Sequence, residues 1–193
     1  MIEYLKGKVI SLYPTHVILE TNEIGYEVHI SIQTYSAIDP TLLLTLFIHE
    51  VIREDAHQLF GFISTDERNL FRHLISVSGI GPNTARMMLS SLSSEEIKHA
   101  ILSGNSLTLK NIKGIGSKTA ERIIIDLKDK VGKISKESEN LMVQSNTLME
   151  EALSALLALG FNKQASEKTL AKISASESGL NLEMLIKKAL KQL

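Results

Sequence analysis

Apolar and polar residues alternate along the first third of the chain and recur at helical spacing over most of the rest. Tyr26, Val28 and Ile30 alternate with Glu27 and His29, and Leu42, Leu44, Leu46 and Ile48 again set apolar groups on one face. That period of two is the mark of half-buried strands. Breaks at Tyr13-Pro14-Thr15, at Asn22-Glu23-Ile24-Gly25 and at Asp39-Pro40 cut residues 1–62 into short segments. About five or six short strands are predicted there, a number that suits a small closed or Greek-key barrel. Gly7 marks a candidate bulge or barrel bend.

The period then changes. Ser64-Thr65-Asp66-Glu67 has the form of a capping box, and Leu70, Phe71, Leu74 and Ile75 follow at helical spacing. Pro82 suits a first helical position, so a helix is predicted from there to about Ser90. Ser93-Ser94-Glu95-Glu96 starts another, a short helix follows from about Ser106, and one from Ser117 to about Val131 closes the region. Residues 63–131 thus read as five helices in two helix-turn-helix units. Residues 132–147 lose apolar periodicity and read as a flexible linker. Helical spacing returns at 148–193, with Asn162 as an N-cap and a last helix from Asn181 to the end. A segment of that size is near the lower limit for a self-sufficient core, which leaves apolar surface for a partner.

Between the predicted helices, one pattern occurs twice, 35 residues apart: Gly79-Ile80-Gly81-Pro82-Asn83-Thr84-Ala85 and Gly114-Ile115-Gly116-Ser117-Lys118-Thr119-Ala120. An apolar residue, Val77 or Ile112, precedes each by two positions. Glycine permits φ > 0 and lets a phosphodiester approach the backbone. The helix that follows offers unpaired N–H groups and a partial positive charge. Gly79, Gly81, Asn83, Thr84, Arg86, Gly114, Gly116, Ser117, Lys118, Thr119 and Arg122 form the candidate DNA-binding set. Phosphate contacts of this kind carry no base information, so binding is expected to be largely independent of sequence.

Charge supports the reading once its distribution is considered. The net charge of −1 argues against a nucleic-acid binder, but residues 1–62 carry three Lys/Arg against eight Asp/Glu, while residues 63–134 carry eleven against seven. The positive charge lies with the glycine turns. The absence of cysteine excludes disulfides, a thiol nucleophile and thiolate metal sites, and suits a reducing cytoplasm. No signal-peptide pattern opens the chain and no apolar run reaches membrane-spanning length, so a cytoplasmic protein is expected.

Other chemistries find little support. Gly116-Ser117-Lys118-Thr119 lacks the glycines and the preceding strand of a P-loop. Neither turn has the third glycine of a dinucleotide fingerprint. The six histidines are scattered without ligand spacing. No catalytic residue, metal site or cofactor is expected. Glu54-Asp55, between two strand-like stretches, reads either as a solvated hairpin tip or as a carboxylate wedge that repels phosphates.

Taken together, these residues resemble the bacterial RuvA family. The likeness covers nearly the whole chain: Met1-Ile2 with Leu5 and Gly7, Arg53-Glu54-Asp55-Ala56 with Leu59-Phe60-Gly61-Phe62, both glycine turns, and Thr119-Ala120-Glu121-Arg122. The resemblance implies an α+β multidomain protein. An OB-like β-barrel (1–62) precedes an all-α tandem helix-hairpin-helix domain (63–131), a linker (132–147) and a small three-helix, UBA-like domain (148–193). It implies a non-catalytic subunit that binds four-way (Holliday) junction DNA as a homotetramer, with one or two tetramers on the junction, in recombination and repair. Glu54 and Asp55 would form an acidic pin at the crossover, residues 148–193 would dock the RuvB ATPase, and the RuvC resolvase would be a further partner. One departure stands out: the family commonly has lysine where Asn83 stands, and Arg86 is the cation one turn on. The alternatives are a generic hairpin-type repair accessory protein without junction specificity, a glycosylase or lyase with Lys118 as nucleophile, and an adaptor that does not bind DNA.

Overall fold

Five strands close into a barrel: β1 (Tyr4–Leu12), β2 (His16–Thr21), β3 (Ile24–His29), β4 (Leu44–Ile52) and β5 (His57–Phe62), in the order β1-β2-β3-β5-β4. These come from a computed structural model that describes residues 1–139, 144–176 and 180–193. Neighbouring strands are antiparallel except β3 and β5, which pair in parallel through Val28 with Leu59 and His29 with Phe60. Val17, Leu19, Val28, Leu46 and Ile48 alternate inward and are fully buried, as period two requires. Leu42 and Leu43 precede β4 and are exposed, so the apolar alternation read from Leu42 begins two residues later. The β2–β3 turn places Asn22 and Glu23 at φ +48° and +65°, the left-handed pair that a tight hairpin needs.

Gly7 has a different role from the predicted bulge. The ladder irregularity lies between Val9 and Ser11, whereas a Cβ on Gly7 would sit 1.9 Å from the carbonyl oxygen of Glu20. Glycine is there because β1 and β2 approach too closely for any side chain.

A short helix, α1 (Ile32–Ala37), leads from β3 toward β4, where the sequence pattern predicts none. Six residues are too few to show helical periodicity. Its local signal is Ser31, whose side chain accepts from Thr34 N at 3.0 Å.

The helices α2 (Thr65–Ile75), α3 (Pro82–Ser91), α4 (Ser94–Ser103), α5 (Ser106–Lys110) and α6 (Ser117–Glu139) follow. Their shared core takes in Phe60 and Phe62 from β5. The rings of Phe60 and Phe62 lie 5.3 and 4.9 Å from that of Phe71 on α2. Barrel and helices therefore form one compact unit, Met1–Ile134.

Charged side chains fasten that junction. Arg68 is buried and bonds the carbonyls of Glu3 (3.0 Å) and Ile48 (3.4 Å), with an ion pair to Glu3 at 2.5 Å. Of the two predicted capping boxes, the one at Ser93 has both arms, with Glu96 reaching back to Ser93 N. At Ser64 only the hydroxyl arm forms, to Glu67 N at 3.1 Å. The Glu67 carboxylate turns instead toward α1 and accepts from Ser31 Oγ, Thr34 Oγ1 and Ile63 N. Burial pushes this carboxyl above its usual range, against those hydrogen bonds.

The second unit, Ser135–Leu193, contains α7 (Gln144–Ala158), α8 (Lys163–Ser176) and α9 (Leu182–Leu190) around Ala152, Leu156, Leu170, Ile173, Leu185 and Ala189. Asn162 Oδ1 accepts from Gln164 N and Asn181 Oδ1 from Met184 N, which caps α8 and α9. The predicted linker at 132–147 is partly helical: α6 continues to Glu139 and α7 begins at Gln144, while 140–143 lie outside the described residues. Losing an apolar stripe removes a packing face but not the helix propensity of Lys and Glu.

Candidate nucleic-acid interface

The two glycine turns are built by the same backbone bonds. In the first, Val77 N donates to Leu74 O, Ile80 N to Val77 O at 3.0 Å, and Ala85 N to Gly81 O at 3.0 Å. In the second, Ile112 N donates to Leu109 O, Ile115 N to Ile112 O at 3.0 Å, and Ala120 N to Gly116 O at 2.9 Å. Gly79 and Gly114 have φ of +94° and +92°, a region that L side chains rarely adopt. Ile80 and Ile115, each 5% exposed, anchor the turns in the one core that also holds Val77 and Ile112. Sequence identity at these positions has become conformational identity.

Gly81 and Gly116 need another explanation. Gly81 has φ −90° and ψ 170°, which any residue adopts. A Cβ on either glycine would have nothing within 4 Å. Neither backbone strain nor packing demands glycine there. The helix ends supply the reason. Helices α1, α2, α4, α5 and α9 are capped by side chains of Ser31, Ser64, Ser93, Asn105 and Asn181, each accepting from the third helical N–H. Helix α3 has no side-chain cap, and α6 follows Gly116, which has no side chain to give. Among the described residues no side chain caps the first-turn N–H groups at these two ends, which leaves them to an outside acceptor such as a phosphate oxygen.

The surrounding side chains differ between the copies. At the second turn, Ser117, Lys118 and Arg122 are exposed, Thr119 is half-buried, and Lys110 and Lys113 are exposed nearby in sequence. Among the described residues Arg122 makes only a loose pair with Asp126 at 4.0 Å. At the first turn, Asn83 is exposed and Thr84 half-buried. Arg86 does not join them: its Nη1 donates to the barrel carbonyls of Thr15 (2.8 Å) and Ile30 (3.4 Å), and burial lowers its pKa from the usual guanidinium value. The cation that sequence reasoning assigns to the first turn is thus turned into the protein.

Glu54 and Asp55 occupy the exposed tip between β4 and β5, closed by Arg53 N donating to Ala56 O at 2.8 Å. Among the described residues neither has an ion pair, so both carboxylates face solvent. Below them, Glu50 accepts from Ile2 N at 2.8 Å and from the His57 ring at 3.1 Å. The Ile2 N–H, followed by the His57 bond and the nearby terminal amine, holds its carboxyl below the usual range.

The histidines are dispersed by the fold as well as by the sequence. His49 meets the Phe71 ring edge at 5.4 Å and His29 lies against Phe60 at 5.4 Å. Among the described residues no three His, Asp or Glu side chains group as a metal site, and no helix is long and apolar enough to cross a membrane. Sequence reasoning missed Arg68 as the fastener of barrel to α2 and Glu67 as the fastener of α1 to α2. Their one local signal is Glu67 at the third position of a box whose carboxylate then goes elsewhere.

Comparison with known proteins agrees with this architecture. Residues 1–61 match the family described as RuvA N terminal domain, residues 71–129 the SAM-like helix-hairpin-helix tandem, and residues 147–193 the RuvA C-terminal domain. Proteins named Holliday junction branch migration complex subunit RuvA are similar over their full length and the full length of this chain. That from Azobacteroides pseudotrichonymphae is 50% identical, that from Christiangramia forsetii 48%, and that from Flavobacterium psychrophilum 47%. A barrel with an acidic tip, two matched hairpins and a separate helical unit thus coincide with full-length similarity, and the chain belongs to the RuvA family.

Proposed function

We propose that this chain is the non-catalytic, junction-binding subunit of a branch-migration complex. The observation that carries the reading is the pair of uncapped Gly-Ile-Gly helix starts, alike in the three backbone bonds that shape each turn, set in one unit with an acidic hairpin tip. Each pair grips the backbone of one duplex arm. Four copies, as a homotetramer, take the four arms of a Holliday junction, with a second tetramer able to cover the opposite face. Glu54 and Asp55 of the four copies repel phosphates at the crossover and hold it open. Functionally, residues 1–62 form the tetramer core and pin, 63–131 the grip, 132–147 the connection and 148–193 the docking domain for the RuvB motor.

Leu157, Leu159, Met184 and Leu190, all exposed in the last domain, supply apolar surface for that docking. ATP hydrolysis resides in the motor, so this chain needs no nucleotide or metal. RuvC reaches the same junction in the cytoplasm. Native mass measured with and without a synthetic four-way junction tests the reading. A tetramer or octamer with one junction is expected, and a monomer that binds duplex and junction alike would return the chain to the generic accessory class.

A further inference from the structure

Helix α3 is tied to the end of the barrel and to the start of α1 by two side chains one turn apart. Arg86 Nη1 donates to Thr15 O at 2.8 Å and to Ile30 O at 3.4 Å. Ser90 Oγ accepts from Ile32 N at 3.1 Å and donates to Arg86 O at 2.8 Å. Residues four apart share a helix face, so both ties leave α3 in one direction. Thr15 and Ile30 lie where the β2–β3 ladder runs out, just beyond His16 with His29, and Ile32 opens α1 two residues further on. Thr15 O is already bonded by Ile30 N at 3.1 Å, so Arg86 joins a closed corner of the barrel. Its Nε is buried without a partner among the described residues. A guanidinium that accepts this loss is held in place by its other bonds.

The corner is connected to the acidic tip through the sheet. β3 pairs in parallel with β5, His29 opposite Phe60, and β5 runs directly out of the Glu54–Asp55 turn. The first hairpin is therefore referred to the tip through two paired strands. The second hairpin carries its own exposed cations, Lys118 and Arg122, whereas the first has the neutral Asn83.

We infer that Arg86 is a positioning residue rather than a phosphate ligand: it sets the distance and angle between the first DNA grip and the acidic tip, and so favours a four-way junction over plain duplex. This rests on the junction-binding function proposed above. The first hairpin sets geometry and the second supplies most of the electrostatic attraction.

Titration of labelled four-way junction and duplex over a salt series, with wild type, Arg86→Leu and Arg86→Lys, tests it. For Arg86→Leu, duplex affinity and salt slope should stay as in wild type. The junction-to-duplex preference should fall roughly tenfold, which corresponds to about 1.4 kcal/mol of positioning energy. General loss of folded protein lowers both affinities together and leaves the ratio unmoved. A phosphate ligand would behave otherwise, with both affinities falling and the salt slope dropping by about 0.9; that result overturns the inference. Arg86→Lys decides the matter even if the leucine variant does not fold. One ammonium keeps the charge but cannot span both carbonyls with a guanidinium's fixed fork. Loss of preference with an unchanged slope supports positioning, and a wild-type ratio overturns it. A wild-type protein without junction preference would instead overturn the proposed function, before any variant is compared.

Discussion

Replacing Gly81 by serine puts folding and binding in opposition. In this protein Ser and Asn caps accept from the third helical N–H, as Ser31 does from Thr34 and Ser93 from Glu96. In Gly81→Ser the new hydroxyl has open space around it and the same acceptor geometry toward Thr84 N. A serine cap is better than glycine by a few tenths of a kcal/mol, so the fold should hold or gain slightly. The N–H that it takes is one that a phosphate would otherwise receive. A hydrogen bond to a charged acceptor contributes about 1.5–3 kcal/mol, so affinity per gripped arm should fall by roughly tenfold to a hundredfold. Gly81→Ala separates the causes, because its methyl group obstructs the approach without occupying the N–H. Thermal unfolding beside a junction titration at fixed salt reads both sides. A variant that melts at or above wild type and binds within about twofold of it would refute the idea that these N–H groups are the grip.

Four further outcomes are expected. Lys118→Ala should weaken junction binding more than Asn83→Ala and lower the salt slope by about 0.9; equal losses in a titration would contradict the unequal hairpins. Glu54→Gln with Asp55→Asn should retain or tighten binding while reducing the preference for junction over duplex in a gel shift, and unchanged selectivity would leave the tip a solvated turn. Gly7→Ala forces a methyl group onto Glu20 O, 1.9 Å away, so a loss of several kcal/mol, roughly 3 or more, is expected in urea unfolding, as for severe overpacking; a wild-type midpoint would disprove the close approach. Burial, with Arg86 beside His29 and Arg72 beside His49, lowers both histidine pKa values. Between those values and 6.5 the unfolded chain binds more protons, so their contribution to stability rises with pH through that window. Glutamine at both positions should flatten the rise in denaturant titrations, and an unaltered slope would assign it to other groups.

The parts legible in the sequence are those made by neighbours. Alternation at Tyr26, Val28 and Ile30 announced a strand, and the repeated Gly-Ile-Gly announced two turns whose bonds span only a few residues. The Ser93 box and the Asn162 cap are equally local. The obscure parts depend on distant partners. Arg86 reads as one more cation near a phosphate site until Thr15, 71 residues away in sequence, and Ile30, 56 away, are seen to hold it. Glu67 reads as half of a capping box until Ser31 and Thr34, 36 and 33 residues away, claim its carboxylate. Helix α1 was hidden because six residues carry too little periodic signal.

By itself the sequence determined the barrel's strands, the conformations of the two glycine turns, the surplus of cations around them and the family. These follow from side-chain period, from the φ freedom of glycine and from hydrogen bonds between near neighbours. Only the tertiary structure decided which charges remain available to a ligand. A charge drawn out of water must find partners wherever the fold provides them, so the buried Arg68 and the half-buried Arg86 fasten helices to the barrel and the half-buried Glu67 fastens α2 to α1, while Lys118 and Arg122 stayed in water. Desolvation is a property of the assembled fold, and it divided identical residue types between internal contacts and the exposed surface.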